Sequence, residues 1–291
     1  MADDAAREIE LDTGALRLAG RAWGDRGGAP VLALHGWLDN AASFDRLAPL
    51  LGGVQLVALD LPGHGRSEHR PAGSWYHFVD YVGDVLGAAD ALGWERFALL
   101  GHSLGERRRD LRGRRLPRAR GPPRADRGAG AADRPARARP ARLAEALQRA
   151  ARAGRRPAPA YPDLEHAVAA RRTAGDLSVA AARPLVARAT VADADGLRWR
   201  SDPRLRLPSP HRFTEEQVLA MLGAMRAPTL AVGATEGLLP RDPAALERRA
   251  AAIPELRLEW LAGDHHLHLE RPRPVAELLA PFLSRRDTGD D

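Results

Sequence analysis

Ser103 sits in the pentapeptide Gly101-His102-Ser103-Leu104-Gly105, with a glycine two positions away on either side. That spacing suits a serine on a sharp strand-to-helix turn, where the hydroxyl stands clear of a sheet edge as a nucleophile. The plainer role for the same residue is a helix N-cap. A serine hydroxyl attacks poorly until a base removes its proton. In a fold built on such a turn the base comes late in the chain, after the last strand. Residues 263–270, Gly-Asp-His-His-Leu-His-Leu-Glu, supply three imidazoles there. His265 is the favoured base, with His266 and His268 as alternatives; a solvated turn or a metal site would use the same residue types. The acid that orients the base should lie between serine and histidine in chain order. Glu236 is the first carboxylate past the apolar run 228–232, and Asp242 is the alternative; either also reads as an ordinary surface acid. Negative charge developing on a substrate oxygen needs two backbone N–H donors. Leu104, directly after the nucleophile, is one candidate, and Trp37 in His35-Gly36-Trp37 is the other. His35 reads as a brace for that loop. Asp60 and the turn at 62–67 read as structure, not catalysis.

These residues need elements to hold them. Residues 9–11 and 16–22 read as a hairpin around Thr13-Gly14. Residues 30–34 and 54–61 are short continuous apolar runs, the mark of strands buried on both faces. A helix is expected over 44–51. Helical spacing runs through 76–92, where Gly93 suits the C-terminal end. A third strand, 97–100, leads straight into Gly101. This strand–helix alternation predicts a parallel sheet covered on both faces. Further on, 141–151, 164–174 and 177–187 look helical with few strand signals, which predicts a helical cap. Thr214 and Gln217 form a capping-box pattern opening a helix through 225. Strand 228–232, helix 243–253, strand 256–261 and helix 274–283 follow, and the tail from Ser284 is polar. The expected organisation is core at 1–139, cap at 140–213 and core again at 214–291.

The 291 residues carry 44 basic and 38 acidic side chains, a net charge of +6, and every basic one is arginine. The absence of cysteine excludes disulfides, thiolate metal sites and a cysteine nucleophile. No apolar run approaches the roughly 20 residues that span a bilayer, and the start of the chain is acidic and polar. A cytoplasmic protein with no membrane association is expected. The charge is uneven. Residues 106–156 hold 18 Arg against 5 acids, whereas the remainder holds 26 Arg against 33 acids. Between 106 and 142 the only large apolar residues are Leu111 and Leu116, with neither helical nor strand period. An arginine-rich insert could neutralise phosphates, but it has no interleaved aromatics to stack on bases. A nucleic-acid partner is therefore not expected. A small-molecule substrate is, and the triad chemistry requires no cofactor and no metal.

His-Gly-Trp-Leu-Asp-Asn (35–40), Asp-Leu-Pro-Gly-His-Gly-Arg-Ser (60–67), the Ser103 pentapeptide, 228–237 and 263–272 occur in the order found in α/β-hydrolases. The chain resembles that family, and most closely its serine hydrolase-like group, in the His-His-Leu-His-Leu-Glu ending and the stretches 201–205 and 212–222. The resemblance covers most of 30–105 and 226–283. It implies a mostly parallel sheet of eight strands with a helical cap, and hydrolysis of a small ester, thioester or amide through an acyl-enzyme. The family's catalytic histidine, five before the glutamate, maps to His265. Ser103 disfavours the dehalogenase and epoxide-hydrolase branches, which carry aspartate at that position.

The resemblance also implies a helix of small and apolar residues after the elbow, then a buried strand. Residues 106–140 cannot meet that need, because each unpaired buried arginine costs several kcal/mol. One reading is a gene segment translated in a displaced frame from about 106 to about 137. All-arginine basicity fits CGN codons in a GC-rich gene. Read one base later, consecutive CGN codons become GNC, which encodes Ala, Val, Gly or Asp. Codons can be chosen so that the displaced frame reads a small-residue helix, a Pro-Glu-Arg-Val turn and an apolar Val-Leu-Ile strand. On this view the present chain is a hydrolase derivative impaired behind its nucleophile.

Overall fold

A computed structural model describes residues 5–103, 139–152, 160–175 and 177–284. The anomalous stretch, Leu104 and the polar tail beyond Ser284 lie outside the described residues.

Strand β3 (Ala29–Leu34) is an interior strand of the sheet. Its side chains alternate between two cores, as the period of two dictates. Val31 and Ala33 face one core with Phe44, Leu47, Val275 and Leu279. Leu32 and Leu34 face the other with Tyr81, Val85 and Ala88. Val31, Leu32 and Ala33 are wholly buried, so a continuous apolar run is what the position requires. β4 (Val54–Leu59) lies parallel to β3 on one side and β5 (Ala98–Gly101) parallel on the other. The hairpin β1 (Arg7–Asp12) and β2 (Arg17–Trp23) adds two antiparallel strands, giving the order β1-β2-β4-β3-β5.

Helix α1 (Asp80–Ala91) covers one face and ends at Gly93, whose φ of +70° closes the helix as expected. The expected helix over 44–51 is instead two short 3-10 turns, Ala41–Phe44 and Ala48–Leu50. Asn40 accepts from the Ala42 amide, and Pro49 lacks the amide that an α-helix would use.

The later part holds α2 (Arg139–Ala150), α3 (Leu164–Gly175) and α4 (Val179–Ala189). α3 and α4 pack through Ala167, Val168, Ala181, Leu185 and Val186. A hairpin follows, β6 (Thr190–Asp193) and β7 (Gly196–Trp199), which the strand-poor reading of this region missed. Helix α5 (Glu215–Gly223) opens on the expected capping box of Thr214 and Gln217. β8 (Thr229–Ala234) and β9 (Leu256–Leu261) pair in parallel around α6 (Pro243–Ala252). A single turn, α7 (Leu267–Glu270), leads into α8 (Pro272–Leu283). Among the described residues the resemblance's continuous eight-stranded sheet is instead a five-stranded sheet and a separate β8–β9 pair.

One buried carboxylate ties these parts together. Asp60, just past β4, is fully buried. Its oxygens accept the Ala41 and Arg66 amides at 2.7 Å and the Nε of Arg188 from α4 at 2.9 Å. Arg188, also buried, reaches Glu8 of β1 with a terminal nitrogen at 2.8 Å. Gly65 at φ +51° lets the 62–67 turn close over Asp60; a Cβ there would fall 2.2 Å from the Asp60 Cγ. Arg188→Met leaves that carboxylate buried and unpaired. The expected loss is about 3–5 kcal/mol, read from the urea unfolding midpoint. Arg183→Met, which breaks an exposed pair with Glu165, should cost less than about 1 kcal/mol. Equal losses from the two variants would contradict the role given to Asp60.

Candidate active site

Ser103 owes its position to β5. The β3 ladder pairs Leu34 with Gly101 and continues one residue further, where the His102 amide donates to the Leu34 carbonyl at 3.0 Å. The backbone then turns sharply, and Ser103 adopts φ +42°. A residue with a Cβ enters that left-handed region at a cost of about 1–2 kcal/mol. Among the described non-glycine residues only Leu38, at φ +65°, shares it. These two strained residues lie in the two loops that leave β5 and β3.

His102 joins those loops to the histidine-rich one. A Cβ on Gly36 would meet the His102 Nδ1 at 2.8 Å, so the imidazole fits only against a glycine. Nε2 donates to the His265 carbonyl at 3.0 Å, which fixes the proton on that nitrogen. The His102 ring is 4.9 Å from the His265 ring, 5.3 Å from His266 and 4.0 Å from His268. Burial pushes His102 down to about 4, so it is neutral at pH 7.

The three sequence candidates for the base separate clearly. His265 is half-buried at the start of the turn after β9, and its amide donates to the Asp264 carboxylate at 2.6 Å. His266 approaches Asp39 at 3.9 Å. His268 is buried, with Nε2 2.7 Å from the Ser43 hydroxyl and the Phe44 ring against it. Burial pushes His266 to about 4 and His268 well below its ordinary value.

The two candidate acids also part. Glu236 is exposed, and its amide donates to the Gly263 carbonyl at 2.9 Å. With the Thr235 amide on the Leu261 carbonyl, this stitches the loop after β8 to the loop that carries His265. The Asp242 carboxylate instead accepts the Ala245 amide at 3.0 Å and caps α6.

The loop after β3 is held from several sides. The buried His35 accepts the Leu61 amide on Nε2 at 3.0 Å, and its Nδ1 donates to the Gly36 carbonyl at 2.7 Å. It is thus a brace between β3 and β4. Trp37 packs edge-on against His64 and Tyr81, and its amide has no acceptor among the described residues. Asp39 closes a turn onto the Gly36 carbonyl, and its buried carboxylate takes a hydrogen bond from Arg171 of α3 at 2.6 Å. Burial pushes that carboxyl up, but Arg171 and the neighbouring imidazoles outweigh burial and hold it below its ordinary value. Asn40 donates to the Leu185 carbonyl of α4 at 2.8 Å. Two helices therefore grip adjacent residues of this loop. Sequence reasoning missed Asp39, Arg171 and His102. The first and last lie inside quoted motifs; Arg171 carries no local signal.

A family model described as the alpha/beta hydrolase fold matches residues 29–105. A serine hydrolase-like protein of Danio rerio is 48% identical over 102 residues, 35% of this chain and 31% of that protein. The chain thus matches about a third of the length of such curated relatives. A hypothetical protein of Pseudomonas aeruginosa PAO1, known from a crystal structure, is 35% identical over 96% of this chain and 99% of its own, with a TM-score of 0.82. A thioesterase domain from the curacin biosynthetic pathway has a TM-score of 0.76 at 23% identity, over 95% of this chain and 99% of its own, a likeness of fold alone. The chain belongs to the α/β-hydrolase family. The curated relatives it matches include serine hydrolase-like proteins and, at 35% identity over 83 residues, epoxide hydrolase B of Mycobacterium tuberculosis.

The buried imidazoles set a pH dependence. Burial holds His35, His102 and His266 at about 4 and His64 at about 3. In the unfolded chain they titrate near ~6.5. Between these values the unfolded state binds more protons, so the stability is full above ~6.5 and is lost as pH falls toward 4. The melting temperature should be flat near pH ~7.5 and fall steadily below ~6.5. Histidine NMR spectra at pH ~5.5 should show these four rings still neutral. Four rings titrating together at the unfolded value would refute this.

Proposed function

We propose that the chain is a serine hydrolase that cleaves a small ester, thioester or amide through an acyl-enzyme. The observation that carries this reading is Ser103 at φ +42° on the end of β5, next to His102, whose ring holds the His265 carbonyl. The Ser103 Oγ attacks the substrate carbonyl carbon, and its proton passes to the His265 imidazole. The Trp37 and Leu104 amides receive the oxyanion; Leu104 lies outside the described residues. Collapse expels the alcohol, thiol or amine, which takes its proton from His265, and water then releases the acid by the reverse sequence. Glu236 orients His265, a role supported by the stitched loops at 235–236 and 261–263. Asp242 is spent on its helix cap. Residues 1–139 and 214–291 form the core of this enzyme and 140–213 its cap. A cytoplasmic location fits, and no helix of the described residues is long and apolar enough to cross a membrane.

One observation favours a second reading, a hydrolase-derived chain with impaired activity. Among the described residues no strand joins β5 to β8. A fluorophosphonate probe with mass spectrometry, followed by hydrolysis of a chromogenic short-chain ester, separates the two. Under the first reading the unmutated chain gains one adduct on the Ser103 peptide, and Ser103→Ala gains none. His265→Ala and Glu236→Gln should lower turnover by roughly 10³–10⁴. Asp242→Ala should keep turnover and lose about 1 kcal/mol of stability. Neither adduct nor turnover from the unmutated, folded chain would leave the second reading in place.

A further inference from the structure

The turn that carries Trp37 is closed by a hydrogen bond from the Asp39 amide to the Gly36 carbonyl at 3.1 Å. Of its two central residues only Leu38 has a positive φ, +65°. That pattern matches a type II turn, whose third position ordinarily goes to glycine. A leucine there strains the backbone, and such strain persists only where the surroundings hold it. Packing of Leu38 against the core on the α1 side is one restraint. The next residue supplies another.

Asp39 is buried. Its Oδ1 accepts from the Arg171 Nη2 at 2.6 Å, and its Oδ2 faces the His266 Nε2 at 3.9 Å. A Cβ on Gly36 would come within 3.3 Å of Oδ2, so the carboxylate lies back over the start of its own turn. Arg171 stands near the end of α3, and its guanidinium folds over Gly175, four residues on. A Cβ at Gly175 would fall 2.2 Å from the Arg171 Nη1. Glycine weakens a helix relative to alanine, but here it leaves the space that the guanidinium uses. α3 is itself anchored. Leu269 of α7 sits in the core that α3 shares with α4, and the Ser178 amide donates to the Glu270 carboxylate at 2.7 Å. A fixed helix thus presents a fixed cation to the turn.

We propose that Arg171 is a positioning residue: acting through Asp39, it holds the Gly36–Asp39 turn in its strained form and so aims the Trp37 amide. Its consequence for catalysis rests on the serine-hydrolase reading, which gives that amide to the oxyanion. Arg171 touches no reacting atom. It keeps a donor aimed before charge develops, which is the condition for an oxyanion donor to act.

Amide hydrogen exchange at Asp39, read by NMR, tests this directly. The reference is the Ala182 amide of α4, which donates to the Ser178 carbonyl. Arg171→Met should speed exchange at Asp39 by roughly 5–30-fold and leave Ala182 unchanged. Gly175→Ala, which helix propensity alone favours, should speed it in the same direction by displacing the guanidinium. Adding Leu38→Gly to Arg171→Met should slow it again, because glycine adopts the turn unaided. The inference is overturned if Asp39 and Ala182 accelerate together, if neither single variant changes Asp39, or if Leu38→Gly restores nothing. In ester hydrolysis Arg171→Met should lower kcat by about 10–100-fold with KM changed less than ~3-fold, and Leu38→Gly should recover part of the loss. An opened turn with unchanged kcat would overturn the link to catalysis. An unmutated chain without adduct or turnover would remove the hydrolase reading, while the exchange rates still decide whether Arg171 holds the turn.

Discussion

Asp60 is a carboxylate that water does not reach, and three groups from three parts of the chain converge on it. A buried charge of this kind is stable only if its lone pairs are filled. The Ala41 amide fills one, the Arg66 amide another, and Arg188 supplies the countercharge. Each partner belongs to a different structural decision. Ala41 starts the short turns after the β3 loop, Arg66 ends the turn that closes over β4, and Arg188 places α4. The arrangement over-determines the loop between β3 and the first 3-10 turn, which is where Leu38 holds a backbone conformation that a leucine would otherwise avoid. Strain near the site is thus held by an ion pair away from Ser103.

The same helix pair acts on the loop a second time. Arg171 of α3 holds Asp39, and the Leu185 carbonyl of α4 holds Asn40. The α3–α4 pair is packed as a unit through Ala167, Val168, Ala181, Leu185 and Val186. Displacing it would release both residues at once, and with them the turn that carries Trp37. The nearby imidazoles are neutral because burial forbids their charge. A neutral ring can accept a proton when a substrate supplies the compensating negative charge, which a ring already protonated cannot do.

Where an element rests on local pattern, it was legible. β3 reads as a continuous apolar run because it lies between two cores, and β9 alternates apolar with charged residues because it pairs with β8 beside one. The capping box at Thr214 and Gln217 involves only residues three apart. The nucleophile turn was legible from Ser103 and its flanking glycines. The contacts that position the site were not. Arg171 and Asp39 are 132 residues apart, and Arg188 and Asp60 are 128 apart. No periodicity encodes a partner at such a distance, and an arginine on an amphipathic helix reads as a solvated one. The 3-10 turns after Asn40 were missed because a side-chain cap and a missing proline amide defeat an otherwise helical stretch. The small hairpin β6–β7 rests on the turn Asp193 to Gly196, with the Asp193 carboxylate taking the Asp195 amide. Strands of four residues leave little pattern to read.

The charge distribution and the bare apolar side chains point to one conclusion from opposite directions. Residues 106–156 hold a net charge of +13 with few apolar groups, and the rest of the chain is acidic. A folded domain of this size normally hides most of its large aliphatic side chains. Here α1 and β5 keep theirs in water on the side where the chain leaves Ser103. An evolved groove and the sequence that follows it should agree in polarity, since each is selected against the other. Their disagreement is confined to one stretch, while the capping, the buried ion pair and the strand pattern on either side remain mutually consistent.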